Sequence, residues 1–217
     1  MLSFRLVYNV NVRTFIFYHN LYHSSVTTQY GSLEMKTLIV VAHPNLENSR
    51  VNKAWVDELK KHPDLYTIHD LYGKYPDWQF DVAHEQALIE AHDKVVLQFP
   101  VFWFNCPPLL KKWLDDVFIY GWAYGSKSGH KMRGRKLALA VSAGVREHDY
   151  SPQGRYQYKL ADILRPFEIT ANYVGADYQP FFAMYGFEDE PGEDYQFNLP
   201  ALRRGTADYL AYLAEAR

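Results

Sequence analysis

Three stretches of this sequence carry side chains suited to binding or chemistry. The first runs from His43 to Asn52 and brings together His43, Asn48, Ser49, Arg50, Val51 and Asn52. Imidazole, amide and hydroxyl groups beside the free N–H groups of a helix start suit one phosphate. Ordinary helix capping uses the same residues. The second reads Pro100-Val101-Phe102-Trp103-Phe104-Asn105-Cys106-Pro107-Pro108. Three consecutive aromatics point in different directions, so at least one should face a crevice. A flat heteroaromatic ring could lie against them, as could a hydrophobic plug or a second subunit. The third, Ser142 to Tyr156, opens on the small residues Ser142, Ala143 and Gly144 beside Val145. Small residues let a ligand approach the backbone closely. Tyr150 and His148 can donate hydrogen bonds to accumulating negative charge, although a solvated loop histidine is the plainer reading of His148. His148 and Asp149 are adjacent, and no Gly-x-Ser-x-Gly nucleophile elbow accompanies them. Neither a Gly-x-Gly-x-x-Gly fingerprint nor a Walker A pattern occurs. No metal site is expected, because the nine histidines are scattered and Cys106 is the single cysteine.

An alternation of strands and helices must position these stretches. Leu38–Ala42 is a continuous apolar run and reads as a buried parallel strand. A helix follows over 51–61, with Ser49 or Asn48 as its cap. Tyr66–Leu71 reads as a second strand and 82–91 as a helix with Ala83, Ala87, Leu88 and Ala91 inward. Lys94–Phe99 is a third strand ended by Pro100. Pro107-Pro108 starts a helix whose apolar face holds Leu109, Leu110, Trp113, Leu114, Val117 and Phe118. Lys136–Val141 is a fourth strand. A helix over 159–173 must accommodate Pro166. Phe181–Tyr185 is a fifth strand, and 199–216 a closing helix. This alternation implies a parallel α/β sheet with helices on both faces, in the flavodoxin-like strand order 2-1-3-4-5. Ligands in such sheets bind beyond the carboxyl ends of the strands, where the strand order reverses. That rule selects the same three stretches.

Composition narrows the function further. The 217 residues hold 23 basic and 25 acidic side chains, a formal net charge of −2, which gives no footprint for nucleic acid. No run of 18 uncharged apolar residues suggests a transmembrane helix. Aromatic residues reach 17%, a surplus suited to core packing, to an interface or to a flat cofactor. Residues 1–34 lack sustained periodicity and match neither a secretory signal nor a transit peptide. Met35 is followed at once by the first strand, as in many cytoplasmic α/β proteins. The expected organisation is therefore a non-native or disordered extension over 1–34 and one domain over 35–217.

Taken together, these motifs resemble the flavodoxin-like NAD(P)H:quinone oxidoreductases. The resemblance is strongest to short bacterial members, among them general-stress-type NAD(P)H oxidoreductases and ancillary flavoproteins of glutathione-gated potassium efflux systems. It rests on His43-Pro44 with Ser49 to Asn52, Asp70-Leu71-Tyr72, Tyr75-Pro76-Asp77 and Pro100-x-x-Trp103. Pro107 to Lys111, Asp115-x-Val117-Phe118, Gly121 to Gly125 and Leu164-Arg165-Pro166-Phe167 with Thr170-Ala171 complete it. The resemblance implies FMN rather than FAD, because the domain is short. It implies a two-step, ping-pong hydride relay from NAD(P)H through flavin N5 to a quinone or similar acceptor. Carried over by position, His43 and Ser49, Arg50, Val51 and Asn52 would hold the flavin phosphate and ribityl chain. Pro100, Val101, Phe102, Trp103 and Phe104 would lie along the isoalloxazine edge, and Ser142, Ala143, Gly144 and Val145 at its pyrimidine end. Tyr150 would hydrogen-bond the reduced flavin or the substrate and is the candidate catalytic residue. A catalytic histidine of relatives falls at Tyr156. The family further implies a cytoplasmic homodimer, with Trp122 and Tyr124 as interface or site-lining candidates. Two alternatives are a regulatory subunit of a potassium efflux transporter and a one-electron carrier. A basic loop containing Lys127, Lys131, Arg133 and Arg135 could meet a 2′-phosphate or simply be solvated.

Overall fold

The computed structural model describes residues 37–187 and 198–215. The extension expected over 1–34 lies outside the described residues. Five parallel positions form one sheet. β1 (Thr37–Val41) pairs on one side with β2 (Tyr66–Asp70) and on the other with β3 (Lys94–Pro100), which pairs with β4 (Lys136–Ala143). The fifth position differs from expectation. It is shared by β5 (Asp177–Tyr178) and β6 (Phe182–Tyr185), both parallel to β4. Pro180 lies between them and has no N–H to donate to a ladder, so one continuous strand is interrupted there. The order is β2-β1-β3-β4-β5, as read from the alternation.

Side chains alternate across the two sheet faces, as the pleat requires. Ile39, Val41, Val96, Ala138 and Ala140 face α1 (Val51–Leu59) and α6 (Leu199–Glu215), meeting Trp55, Tyr209 and Leu213. Leu38, Val40, Val95, Leu97, Phe99, Leu139 and Val141 face the other way. They meet α2 (Leu71–Lys74), α3 (Val82–Glu90), α4 (Pro108–Val117) and α5 (Leu160–Val174). All six apolar residues predicted for α4 and its C-cap are buried. α5 runs unbroken through Pro166, and the Thr170 hydroxyl donates to the Pro166 carbonyl at 2.9 Å. Gly175 closes that helix at φ 73°, the left-handed conformation in which a glycine carries no Cβ penalty.

The inward face of α3 departs from expectation. Ala83, Ala87 and Ala91 are exposed, while Glu85 and Ile89 are buried. Small apolar side chains gain little by burial, and Glu85 gains three partners. The Tyr75 hydroxyl donates to its Oε1 at 2.6 Å, and Trp113 Nε1 donates to its Oε2 at 2.7 Å. His69 Nε2 lies 2.9 Å from Oε2. Burial alone pushes the carboxyl up, but the bonds from His69, Tyr75 and Trp113 outweigh it and hold it below its ordinary value of 4.5. Glu85 thus ties α2, α3, α4 and β2 together.

A carboxyl whose folded-state pKa lies below its unfolded value stabilises the fold above that value and stops doing so as pH falls through the folded one. Glu85→Gln should therefore cost about 3 kcal/mol at neutral pH, because it leaves buried donors without an acceptor. Urea unfolding at pH 7 and at pH 4 should show the gap between the two proteins narrowing in acid. A loss below about 1 kcal/mol at pH 7 would mean that the cluster is not the joint described here.

Candidate active site

The three stretches converge at the carboxyl ends of β1, β3 and β4. They line a cavity of about 890 Å³, within the roughly 300–1,000 Å³ typical of small-molecule sites. His43, Asn48, Ser49, Arg50 and Val51 form one side. Pro100, Val101, Phe102, Trp103 and Phe104 form a second, and Ser142, Ala143, Gly144, Val145, Tyr150, Arg155 and Tyr156 a third. Phe187 completes the wall. The topological reversal between β2-β1 and β3-β4 is what opens this crevice.

Every residue that the sequence assigns to cofactor binding lines this cavity except Asn52, which is fully buried. It sits behind the wall, its backbone N–H donating to Ser49 Oγ at 3.1 Å and its Nδ2 to Ser142 Oγ at 2.9 Å. Asn52 therefore joins the first loop to the third rather than meeting a ligand. Phe187 was missed. It follows β6, so the carboxyl-edge rule applied to the fifth sheet position finds it. Arg155 and Tyr156 also reach the cavity, whereas His148 is exposed and does not. Trp122 and Tyr124 do not line it either, and Trp122 is buried with its N–H donated to Glu90 Oε1 at 2.8 Å. The basic loop is largely committed elsewhere. Lys131 pairs with Glu90 at 2.6 Å, and Arg135 donates to the carbonyls of Lys131, His92 and Glu90.

Loop one presents donors. The Asn45 N–H donates to His43 Nδ1 at 3.1 Å, so that nitrogen carries a lone pair. Burial pushes the imidazole below its ordinary value of 6.5, and with Nδ1 accepting, the proton of the neutral ring sits on Nε2. Ser49 Oγ takes the Asn52 N–H at the start of α1, beside Arg50. Arg50, amide groups and a helix start, with no acidic side chain among the described residues that line the cavity, suit an anion.

Loop two is a tight turn. Phe102 and Asn105 exchange both backbone hydrogen bonds, at 2.9 and 3.0 Å, around Trp103 and Phe104. Both central residues have positive φ, 48° and 61°, as in a type I′ turn. Such turns favour Asn-Gly, and bulky residues there store roughly 1–3 kcal/mol of strain each. Strain of this kind concentrates at functional sites, and here it presents Trp103 at 93% exposure. Loop three folds back on itself. A Cβ at Gly154 would lie 2.0 Å from the His148 carbonyl oxygen, and the Tyr156 N–H donates to the Asp149 carbonyl at 3.0 Å. That fold sets Tyr156 against Tyr150, with ring centres 5.1 Å apart, and against Phe104 at 4.9 Å. The Cys106 thiol lies behind the aromatic loop, buried and pushed up to about 11 by that burial, and so is no nucleophile at neutral pH.

An open cavity at the carboxyl edge of a parallel sheet, with polar donors on one side and an aromatic wall on another, has the features of a small-molecule site. Residues 35–207 match the family described as flavodoxin-like fold, and the chain belongs to that family. It is similar to the Bacillus subtilis protein named uncharacterized NAD(P)H oxidoreductase YrkL, 49% identical over 152 residues, 70% of this chain and 86% of the relative. It is also similar to the glutathione-regulated potassium-efflux system ancillary protein KefG of Cronobacter sakazakii, 42% identical over 136 residues, 63% of this chain and 73% of the relative. Among solved structures, general stress protein 14 of Treponema denticola in complex with FMN superposes with a TM-score of 0.76. It is 48% identical, over 84% of this chain and 99% of that one.

Replacing Trp103-Phe104 by Asn-Gly should relieve the turn. The ligand-free double variant is expected to gain about 1 kcal/mol, seen as a rise of roughly 2–4 °C in melting temperature for a domain of this size. An unchanged or lower melting temperature would show that the turn carries no strain.

Proposed function

We propose that this chain is an FMN-dependent NAD(P)H oxidoreductase of the quinone-reductase type. The observation that carries the reading is the cavity itself: a donor-rich, cationic loop, a strained aromatic turn and a hydroxyl-bearing loop at one sheet edge. The donor set fits FMN. Ser49, Arg50, Asn48 and His43 would hold the phosphate and ribityl chain. Phe102, Trp103 and Phe104 would flank the ring, and Ser142 to Val145 would approach its pyrimidine end. Bound there, FMN would supply two-electron hydride transfer between NAD(P)H and a quinone-like acceptor.

The protein's own contribution is orientation, charge and access. Tyr150 is buried beside Tyr156 and Tyr185, which holds its ring in place. Its hydroxyl donates to the electron-rich acceptor or ring edge that forms during transfer. Tyr156 stands where relatives carry a catalytic histidine. A phenol, unlike an imidazole, keeps its proton throughout the neutral range. An acceptor reduced here would then draw its proton from a source other than residue 156.

A homodimer is part of this reading. Tyr120, Tyr124 and Tyr173 form a chain of ring contacts, and Tyr120 and Tyr173 are 67% and 70% exposed. Patches of that kind favour subunit contacts. A cytoplasmic location follows from NAD(P)H as co-substrate, and among the described residues no helix is long and apolar enough to cross a membrane. The likeness to KefG favours a second role, docking on a potassium efflux transporter. Co-purification with such a transporter would support that role.

Purified protein should show flavin absorption bands that bleach under anaerobic NADPH and return with menadione. Absence of bands after reconstitution with FMN would remove the reading. Tyr150→Phe should lower kcat about 10–100-fold, the worth of one hydrogen bond to developing charge. Across pH 6 to 9, Tyr156→His should add a titration near 6.5 to the wild-type rate profile. An unchanged profile in Tyr156→His would contradict the assignment of Tyr156.

A further inference from the structure

A buried chain of hydrogen bonds runs from the closing helix to the cavity wall. The Tyr209 hydroxyl lies 3.2 Å from Gln98 Oε1. Gln98 Nε2 lies 3.2 Å from the Asn52 carbonyl oxygen and 3.4 Å from Asn52 Oδ1. Asn52 Nδ2 lies 2.9 Å from Ser142 Oγ. Tyr209, Gln98 and Asn52 are each fully buried, and Ser142 lines the cavity.

The direction of this chain is not free. Amide side chains can be turned over without changing their shape, so their orientation must be argued from their partners. The Asn52 carbonyl is a backbone acceptor and cannot turn over. It requires the NH₂ of Gln98 to face it, because a Gln98 oxygen there would set two acceptors together. Gln98 Oε1 then faces Tyr209, whose hydroxyl donates. With the Gln98 NH₂ beside Asn52 Oδ1, the Asn52 NH₂ must face Ser142. Ser142 Oγ therefore accepts, and its own proton must go elsewhere. Among the described residues nothing accepts that proton.

We propose that Gln98 and Asn52 are positioning residues that hold the Ser142 hydroxyl as a donor to the cavity, and that this donor raises the reduction potential of FMN bound there. The proposal rests on the flavin reading above. A donor favours whichever state of its acceptor is richer in electrons, and reduction adds two electrons to the ring. The relay supplies what a lone serine lacks. A free hydroxyl rotates between accepting and donating, whereas this one has its accepting direction filled from behind. It therefore loses less rotational freedom on donating to the ligand.

The test is the midpoint potential of FMN in the reconstituted protein, measured against a reference dye, with oxidised FMN affinity measured alongside. Ser142→Ala should lower the preference for reduced over oxidised FMN about tenfold, which for a two-electron couple is about 30 mV. Asn52→Asp presents an acceptor to Ser142 and turns its proton inward, so it should shift the potential in the same direction by a similar amount. In the Ser142→Ala background, Asn52→Asp should shift the potential by clearly less, because only its added charge and not the Ser142 hydroxyl then acts. Tyr209→Phe, which leaves the Asn52 carbonyl to orient Gln98, should lower the melting temperature and leave the potential unchanged.

Potentials within a few millivolts of wild type in Ser142→Ala would overturn the relay, as would a full Asn52→Asp shift in the alanine background. A Tyr209→Phe shift as large as that of Ser142→Ala would do so too, since it would tie the potential to general loosening. If Asn52→Asp does not fold, the Ser142→Ala and Tyr209→Phe pair still decides. Failure of the wild type to bind FMN at all would instead remove the flavin reading on which this rests.

Discussion

Gln98 lies on a strand whose seven residues are all buried, and its amide must be satisfied by protein. That single requirement reaches through much of the molecule. The partners it finds are the first turn of α1 and the middle of α6, two elements that pack on the same face of the sheet. The first of these partners, Asn52, in turn fastens the loop after β1 to the end of β4. Apolar packing would accept α1 at several rotations, whereas a directed hydrogen bond accepts one. The cavity wall thus inherits its geometry from a polar group in the core. Removing that group would cost more in arrangement than in buried area.

The opposite face has a counterpart in Glu85. Its carboxylate collects donors from β2, from the turn after α2 and from α4. α4 begins directly after the aromatic loop, so the cluster fixes the helix against which that loop is braced. Each sheet face carries one polar joint set among apolar neighbours, and each joint lies beside a segment that feeds the cavity. Charge burial of this kind adds little net stability. What it adds is a single register for the helices.

The strand order and the three site loops were legible because each depends on patterns a few residues long. Leu38 to Ala42 and Lys94 to Phe99 read as buried strands from their apolar runs, and the reversal rule then places the site. The misreadings share a physical origin. Residue-by-residue hydrophobicity turns the alanines of α3 inward, whereas Glu85 is carried inward by partners 10 to 28 positions away. Asn52 looked like a ligand-binding amide because its partners Gln98 and Ser142 are 46 and 90 positions distant. Phe187 lies two residues beyond the fifth strand, whose end at Tyr185 the sequence marks, but it is a lone phenylalanine with no aromatic cluster around it to single it out. Local periodicity reports what a side chain prefers, and long-range hydrogen bonding decides what it does.

The same distinction separates two kinds of residue around the cavity. Phe102, Trp103 and Phe104 are placed by a local device, a two-residue turn closed by its own hydrogen bonds. Their positions need little from the rest of the fold, and 93% exposure of Trp103 leaves it free to adapt to what enters. Ser142 and Tyr150 are placed by distant elements, through Asn52 in one case and through packing on Tyr156 and Tyr185 in the other. Under the proposed function, in which one partner gives and another takes a hydride at the same site, this division would be of use. Adaptable aromatic surface can meet dissimilar molecules, while donors held from behind keep the charge environment of the reacting ring constant between them. Stiffening the aromatic turn would therefore narrow the range of acceptors without altering the ring's chemistry, and loosening the buried relay would do the reverse.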